Sequence, residues 1–351
     1  MIEAASRMAI DDAIDTALQR IKDRAAPLGG GYVALADAIA RATAGGKRLR
    51  PVLVAASFQA FGGVPPRDAG LYEVAAAFEL LHTAFVVHDD VIDHDTERRG
   101  APNVSGEFRL RGVDQGADAA GAALLGDAAA ILAGDLLLHE ASRLVALADV
   151  DPASRSRLFG LLDDAVHISA AGELADVEHS VTGDAADPGA IISAAFNKTA
   201  VYSFRAPLAA GAILAGASAD AITALESAGG SLGLAFQLVD DLIGAFGTDA
   251  QAGRASGGDL REAKQTPLVA LARATATWPK VSDALAVAHT GPIAVRDAQL
   301  ALEASGARET LRAVIDETLS GVRFAADDPV FPSPAAALLR ELADRVEARV
   351  P

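Results

Sequence analysis

Phe85-Val-Val-His-Asp-Asp-Val-Ile-Asp-His-Asp-Thr-Glu-Arg-Arg-Gly100 is the stretch from which the fold can be read. An apolar run reaches the adjacent aspartates Asp89 and Asp90, then Asp93, and the arginines Arg98 and Arg99 follow. On a helix, Asp89 and Asp93 stand one turn apart on one face, with roughly 6 Å of rise between them. Carboxylates suit a helix N-terminus. These stand at the C-terminal end of the run, where the dipole and their mutual repulsion disfavour them. A divalent cation would relieve that repulsion, and a set of hard oxygen donors suits Mg²⁺, which shares its sphere with water and phosphate. One acidic helix end is ordinarily a solvated terminus. A second one changes the reading: Phe236-Gln-Leu-Val-Asp-Asp-Leu-Ile-Gly244 repeats the pattern and ends in Asp240 and Asp241. Two such ends predict a metal cluster held between them.

The surrounding chain reads as all-α. Its 351 residues are 51% hydrophobic and only 5% aromatic, with proline scarce in the apolar runs, so helices can pack closely through small side chains. Periodicity predicts helices over 1–24, 32–43 and 68–93, then a polar loop over 95–117. Further helices are expected over 118–147 (interrupted near Gly126), 152–181, from Pro188 onward, and over 220–243. Shorter ones follow at 268–277, 292–304, 307–326 and 334–349. No linker divides the chain, so a single domain over 1–351 is expected. The absence of cysteine excludes disulfides, thiol catalysis and Cys-based zinc sites. A formal charge of −17 argues against nucleic acid as partner. Neither a secretory signal nor a membrane-spanning run is read, which makes a cytoplasmic location the expectation.

Basic residues cluster where anions would bind. Gly45-Gly-Lys-Arg-Leu-Arg-Pro51 joins two glycines to three cations just ahead of a helix. Only five lysines stand among the thirty Lys and Arg residues, and Lys47, Lys198 and Lys264 all fall in polar stretches, where a compact point charge suits phosphate. His82 lies two turns before Asp89 on the same face. Asn197-Lys-Thr199 interrupts an apolar helix and is expected to face a polar cavity. Gln237 and Asp241 are one turn apart, and Gly253–Pro267, carrying Arg254 and Lys264, reads as a mobile phosphate clamp.

Taken together, Gly45–Pro51, His82, Asp89–Asp93 with Arg98–Gly100, Lys198–Thr199, Phe236–Asp241 and Lys264 resemble the trans-isoprenyl diphosphate synthases, the polyprenyl synthetase family. The resemblance spans about residues 40–270. It implies a bundle of long helices around a central cavity, usually a homodimer, that condenses isopentenyl diphosphate with an allylic diphosphate. It further implies that Asp89 and Asp93 ligate two Mg²⁺ and Asp240 a third, with Asp90 and Asp241 in support. Arg98, Lys198, Thr199, Gln237, Arg254 and Lys264 would serve the allylic diphosphate, and Lys47, Arg50, His82 and Arg99 the isopentenyl diphosphate. Ala84 and Phe85, five and four residues before Asp89, are expected to floor the product channel and to favour geranylgeranyl diphosphate, C20. A farnesyl or longer-chain synthase, a class I terpene cyclase and a non-catalytic partner subunit are the alternatives. Two positions depart from the family pattern: Gly244 where a third Asp is common, and Arg254 where Lys is usual.

Overall fold

The computed structural model describes residues 2–64, 69–182, 187–252 and 256–351. In chain order its helices are α1 (Ala4–Ala25), α2 (Gly30–Thr43), α3 (Leu49–Ala60), α4 (Ala69–Ile92), α5 (Val104–Asp114), α6 (Ala119–Ala146), α7 (Pro152–Val181) and α8 (Pro188–Ala195). After a π-helical stretch, Phe196–Arg205, come α9 (Ala206–Leu214), α10 (Ala219–Phe246), α11 (Asp249–Ala252), α12 (Gly258–Arg261) and α13 (Pro267–Arg273). The remaining helices are α14 (Trp278–Ala286), α15 (Pro292–Ala304), α16 (Ala307–Ala325) and α17 (Ser333–Glu347). A two-stranded hairpin, β1 (Glu97–Arg98) with β2 (Ala101–Pro102), is antiparallel. The all-α expectation holds.

Two compact units divide these elements, one of residues 1–162 with 210–216, the other of 163–209 with 217–351. In the first, α4 is the central element and packs against α1, α3 and α6. Val74, Phe78, Leu80, Leu81, Ala84 and Val87 of α4 are all at most 2% exposed. Each large apolar side chain buried this way contributes on the order of 1.5–3 kcal/mol. Small residues set the approach distances: a Cβ at Gly134 of α6 would stand 2.1 Å from the His88 ring, and one at Gly211 of α9 would stand 2.2 Å from the Val54 carbonyl on α3. In the second unit α10 is central and meets the π-helical stretch, α16 and α17. Here Gly233 of α10 meets Ala200, and Gly172 of α7 lies against the Lys198 backbone nitrogen, 2.2 Å from where its own Cβ would be.

Three expectations are corrected. Residues 95–117 are not a loop: a tight hairpin is followed by α5, started by the Asn103 side chain accepting from the Gly106 N–H at 2.9 Å. α6 is not interrupted at Gly126, which exists for packing, since a Cβ there would meet Arg109 and the Ser105 carbonyl at about 2.5–2.6 Å. Finally, the segments Gly70–Ile92, Ala119–Ala146 and Ala219–Phe246 are long and apolar enough, by length and composition, to cross a bilayer. Most of the apolar window is spent inside the protein in α4 and α10 (72% and 56% buried), but in α6 only 39% is. In α4 and α10 the apolarity answers burial in helical layers, which hydropathy alone does not separate from burial in lipid.

Candidate active site

The first acidic motif sits where α4 stops. The His94 N–H donates to the Val91 carbonyl and the Asp95 N–H to the Asp90 carbonyl, with His94 at φ 59°. This pair of bonds with one left-handed residue is a Schellman closure, and it leaves Asp93 as the last residue of the turn, exposed, with Asp89 one turn behind and half-buried. Asp90 points elsewhere. It is 4% exposed, and its Oδ1 accepts from Arg98 Nε at 3.0 Å and Nη2 at 2.5 Å, while Arg98 also stands 4.0 Å from Asp89 Oδ2. Burial pushes the Asp90 carboxyl above the usual range, and the Arg98 contact pulls it back. Asp90 therefore anchors Arg98, and Arg98 is aimed by the hairpin, whose Arg99 and Gly100 both have positive φ (56° and 75°), the signature of a type I′ turn.

Arg99 turns back onto the glycine loop: its guanidinium lies within 4 Å of where side chains at Gly45 and Gly46 would begin. Arg50, Arg98 and Arg99 all act on His82, which burial first and these three cations next hold well below its usual pKa, so its imidazole is neutral. Arg50, His82, Arg98 and Arg99 are thus brought together, Arg98 joining a group in which Lys47 was expected. Arg48 has a different task. Left-handed at φ 50°, it donates to the Thr43 carbonyl at 2.8 Å and to Glu79 at 3.1 Å, and so ties the loop to α4. Lys47 is exposed and lines a cleft of about 460 Å³ with Arg7, Asp11 and Asp15. Ala84 is fully buried and Phe85 half-buried, so of the two only Phe85 has surface to offer a ligand.

The second motif lies within the last two turns of α10. Gln237 donates to Asp241 Oδ1 at 3.0 Å, and Asp241 Oδ2 is buried without a hydrogen-bond partner among the described residues. Burial, followed by the charges of Asp259, Asp240 and Asp176, pushes the Asp241 carboxyl up to about 8, against the Gln237 bond. Asp259 also answers the Gly244 departure. Its Oδ2 lies 1.7 Å from where a Cβ at position 244 would stand, so a carboxylate reaches this turn of α10 from α12 instead of from α10 itself. Lys198, on the π-helical stretch, donates to Glu173 at 3.0 Å and Asp176 at 2.9 Å, with Thr199 half-buried beside it. Such π-helical insertions recur at functional sites, and this one carries the polar triplet. Lys264 is the residue after the left-handed Ala263 in a second Schellman closure, its N–H on the Asp259 carbonyl at 3.0 Å and its Nζ 3.4 Å from Glu262. Arg254 lies outside the described residues.

The donors fit a divalent metal. They are oxygen-only, and a buried Asp241 oxygen awaits a partner. Among the described residues no three His, Asp or Glu side chains converge as a ready-made cage, which accords with a cation that takes one or two carboxylates and completes its sphere with water and phosphate. Sequence reading assigned no role to Glu173, Asp176, Asp259 or Arg349, which pairs with Asp240 and stacks 4.3 Å above the Phe236 ring. Asp259 carried a readable sign, standing soon after a motif that ends in glycine. Arg349 carried none.

Comparison with known proteins agrees with this chemistry. A family profile described as "Polyprenyl synthetase" matches residues 33–297. The geranylgeranyl diphosphate synthase of Sulfolobus acidocaldarius is 34% identical over 229 residues, 65% of this chain and 63% of the relative. The (2E,6E)-farnesyl diphosphate synthase of Mycobacterium tuberculosis is 32% identical over 81% of this chain and 64% of its own length. These alignments therefore span under two thirds of each relative. Among solved structures, the geranylgeranyl pyrophosphate synthase of Corynebacterium glutamicum, complexed with isoprenyl diphosphate and magnesium, superposes with a TM-score of 0.90 at 27% identity, covering 99% of this chain and 100% of that one. A polyprenyl synthase from Caulobacter crescentus, complexed with calcium and isoprenyl diphosphate, gives 0.73 at 28% identity over 98% and 97%.

Proposed function

We propose that this chain, which belongs to the polyprenyl synthetase family, is a chain-elongating trans-prenyltransferase that joins isopentenyl diphosphate to an allylic diphosphate, with geranylgeranyl diphosphate as its main product. The observation that carries this reading is Arg50 and Arg99 acting on the neutral His82, cations additional to Arg98 and to both acidic helix ends. A terpene cyclase ionises one diphosphate and has no use for a second anion site. The relatives' names and the magnesium in the C. glutamicum complex point the same way.

In this reading Asp89 and Asp93 hold two of three Mg²⁺ and Asp240 holds the third. Bound there, the metal neutralises charge on the departing diphosphate. Asp90 contributes by fixing Arg98, and Gln237 by orienting Asp241. Arg98, Lys198, Thr199, Gln237, Arg254 and Lys264 bind the allylic diphosphate and favour breakage of its C–O bond. Lys47, Arg50, His82 and Arg99 hold isopentenyl diphosphate so that its double bond meets the allylic carbon. The isopentenyl carbon beside the resulting cation loses a proton, which forms the new double bond, and that proton leaves with the released diphosphate. Apolar walls keep water from the cation, and Phe85 limits the length of the tail. Ala84, without exposed surface, would lengthen or shorten the channel only through repacking.

A second copy of the chain is the partner that α6 suits: Leu124, Ile131 and Leu132 are 71%, 46% and 52% exposed along it. Sedimentation of the purified protein reads that directly, and a monomer at assay concentration counts against it. The cytoplasm remains the expected location.

Two-substrate kinetics test the assignment. Lys47→Ala should raise KM for isopentenyl diphosphate by at least about tenfold, the scale of one charge-assisted contact, and leave KM for the allylic substrate near its starting value. Equal effects on both substrates would remove Lys47 from the isopentenyl site.

A further inference from the structure

We propose that Arg349 is a built-in counter-cation for Asp240 that a divalent metal must displace. Phe236 and Asp240 are one turn apart on α10, so one guanidinium spans both. Arg349 stacks on the Phe236 ring at 4.3 Å and donates through Nη2 to Asp240 Oδ1. Phe236 is itself braced by Phe204, with ring centroids 5.1 Å apart and planes at 50°. The segment after α17 that carries Arg349 is held as well: its N–H donates to the Val346 carbonyl, and Arg308 donates to the Pro351 carbonyl at 3.1 Å while lying over Phe246. The guanidinium is therefore placed by its stack on Phe236 and by the held segment that carries it.

Only one cation can take the face of Asp240 that Arg349 takes. A divalent metal binding there must break the Nη2 bond, whereas the stacking on Phe236 need not break. Arg349 Nη1 is buried without a hydrogen-bond partner among the described residues, so the displaced guanidinium keeps donors for a phosphate oxygen. Its charge would then pass from the carboxylate to the diphosphate that arrives with the metal. Metal affinity at Asp240 is set low while diphosphate is absent, and diphosphate raises it by giving Arg349 another partner.

The proposal rests on Asp240 as a metal ligand, and the test separates the two claims. Mn²⁺ binding to the full chain is followed by electron paramagnetic resonance, with and without inorganic diphosphate, and without prenyl substrates. Arg349→Gln should tighten Mn²⁺ binding without diphosphate by about tenfold, the scale of one charge-assisted hydrogen bond. It should also shrink the gain that diphosphate brings. Arg349→Lys, which keeps the charge but not the planar fork, should fall between the two and guards against loss of packing in the Gln variant. Asp240→Asn should weaken Mn²⁺ binding and remove the difference between Arg and Gln at 349. Unchanged or weaker Mn²⁺ binding in Arg349→Gln, with Asp240→Asn impaired, overturns the counter-cation role alone. Unimpaired binding in Asp240→Asn overturns the metal assignment and the proposal with it.

Discussion

Asp89 can be changed without disturbing the turn that presents it, because the bonds closing α4 run between backbone groups of Asp90, Val91, His94 and Asp95. Asp89→Ala should therefore leave a folded protein whose turnover falls by at least ~10³-fold, the range for loss of a preorganised electrostatic contact. Near-normal turnover with an unchanged circular dichroism spectrum would count against the metal role. His82 makes a different prediction. Its folded pKa lies well below the ordinary 6.5 because of burial and then Arg50, Arg98 and Arg99. A depressed histidine gives stability that is fully present above the unfolded pKa. That stability is lost as pH falls, because the unfolded chain takes the proton first. The Tm gap between wild type and His82→Asn should thus move against the wild type from pH 7.5 to pH 5.5. A constant gap would mean that His82 titrates normally. At this scale the sequence was legible where chemistry repeats locally, in Asp89–Asp93 and Asp240–Asp241. It was silent on Arg349, which meets Asp240 across 109 residues with no shared motif.

Helix bounds were legible wherever an apolar face recurs, and α1, α7 and α15 begin and end within a few residues of their expected limits. α5 was missed because Val104 and Phe108 are its only large buried side chains, too few to show a period within a charged stretch. The π-helical stretch could not be foreseen either. It arises where Phe196–Arg205 must accommodate both Gly172 and Gly233 at backbone distance while Lys198 reaches Glu173 and Asp176. Gly172→Ala tests that element. Its Cβ would fall 2.2 Å from Lys198 N and 2.6 Å from Asn197 C, and backbone atoms cannot swing aside. The substitution should lower stability by about 1–3 kcal/mol, as overpacking does, and raise KM for the allylic substrate more than that for isopentenyl diphosphate. A neutral result would show that α7 moves freely against the π-helical stretch.

Across the whole molecule, acidity and function stand in apparent conflict: a chain of net charge −17 is assigned two anionic substrates. The conflict is resolved locally. One unit gathers Arg50, Arg98 and Arg99 around a neutral imidazole. The other sets Lys198 and Arg349 on its carboxylates and keeps Asp241 protonated near neutral pH. Metal and diphosphate would exchange for those cations and that proton. The apolar lengths of α4 and α10 likewise read as membrane-like only until their burial is seen, whereas α6 keeps a broad exposed stripe. Condensation is read by giving the purified chain radiolabelled isopentenyl diphosphate, Mg²⁺ and each of the dimethylallyl, geranyl and farnesyl diphosphates, then separating products by length. Label is expected in an allylic diphosphate of twenty carbons, and a chelator should abolish it. Conversion of the allylic substrate alone to unlabelled hydrocarbon, with no label incorporated from any starter, would contradict condensation.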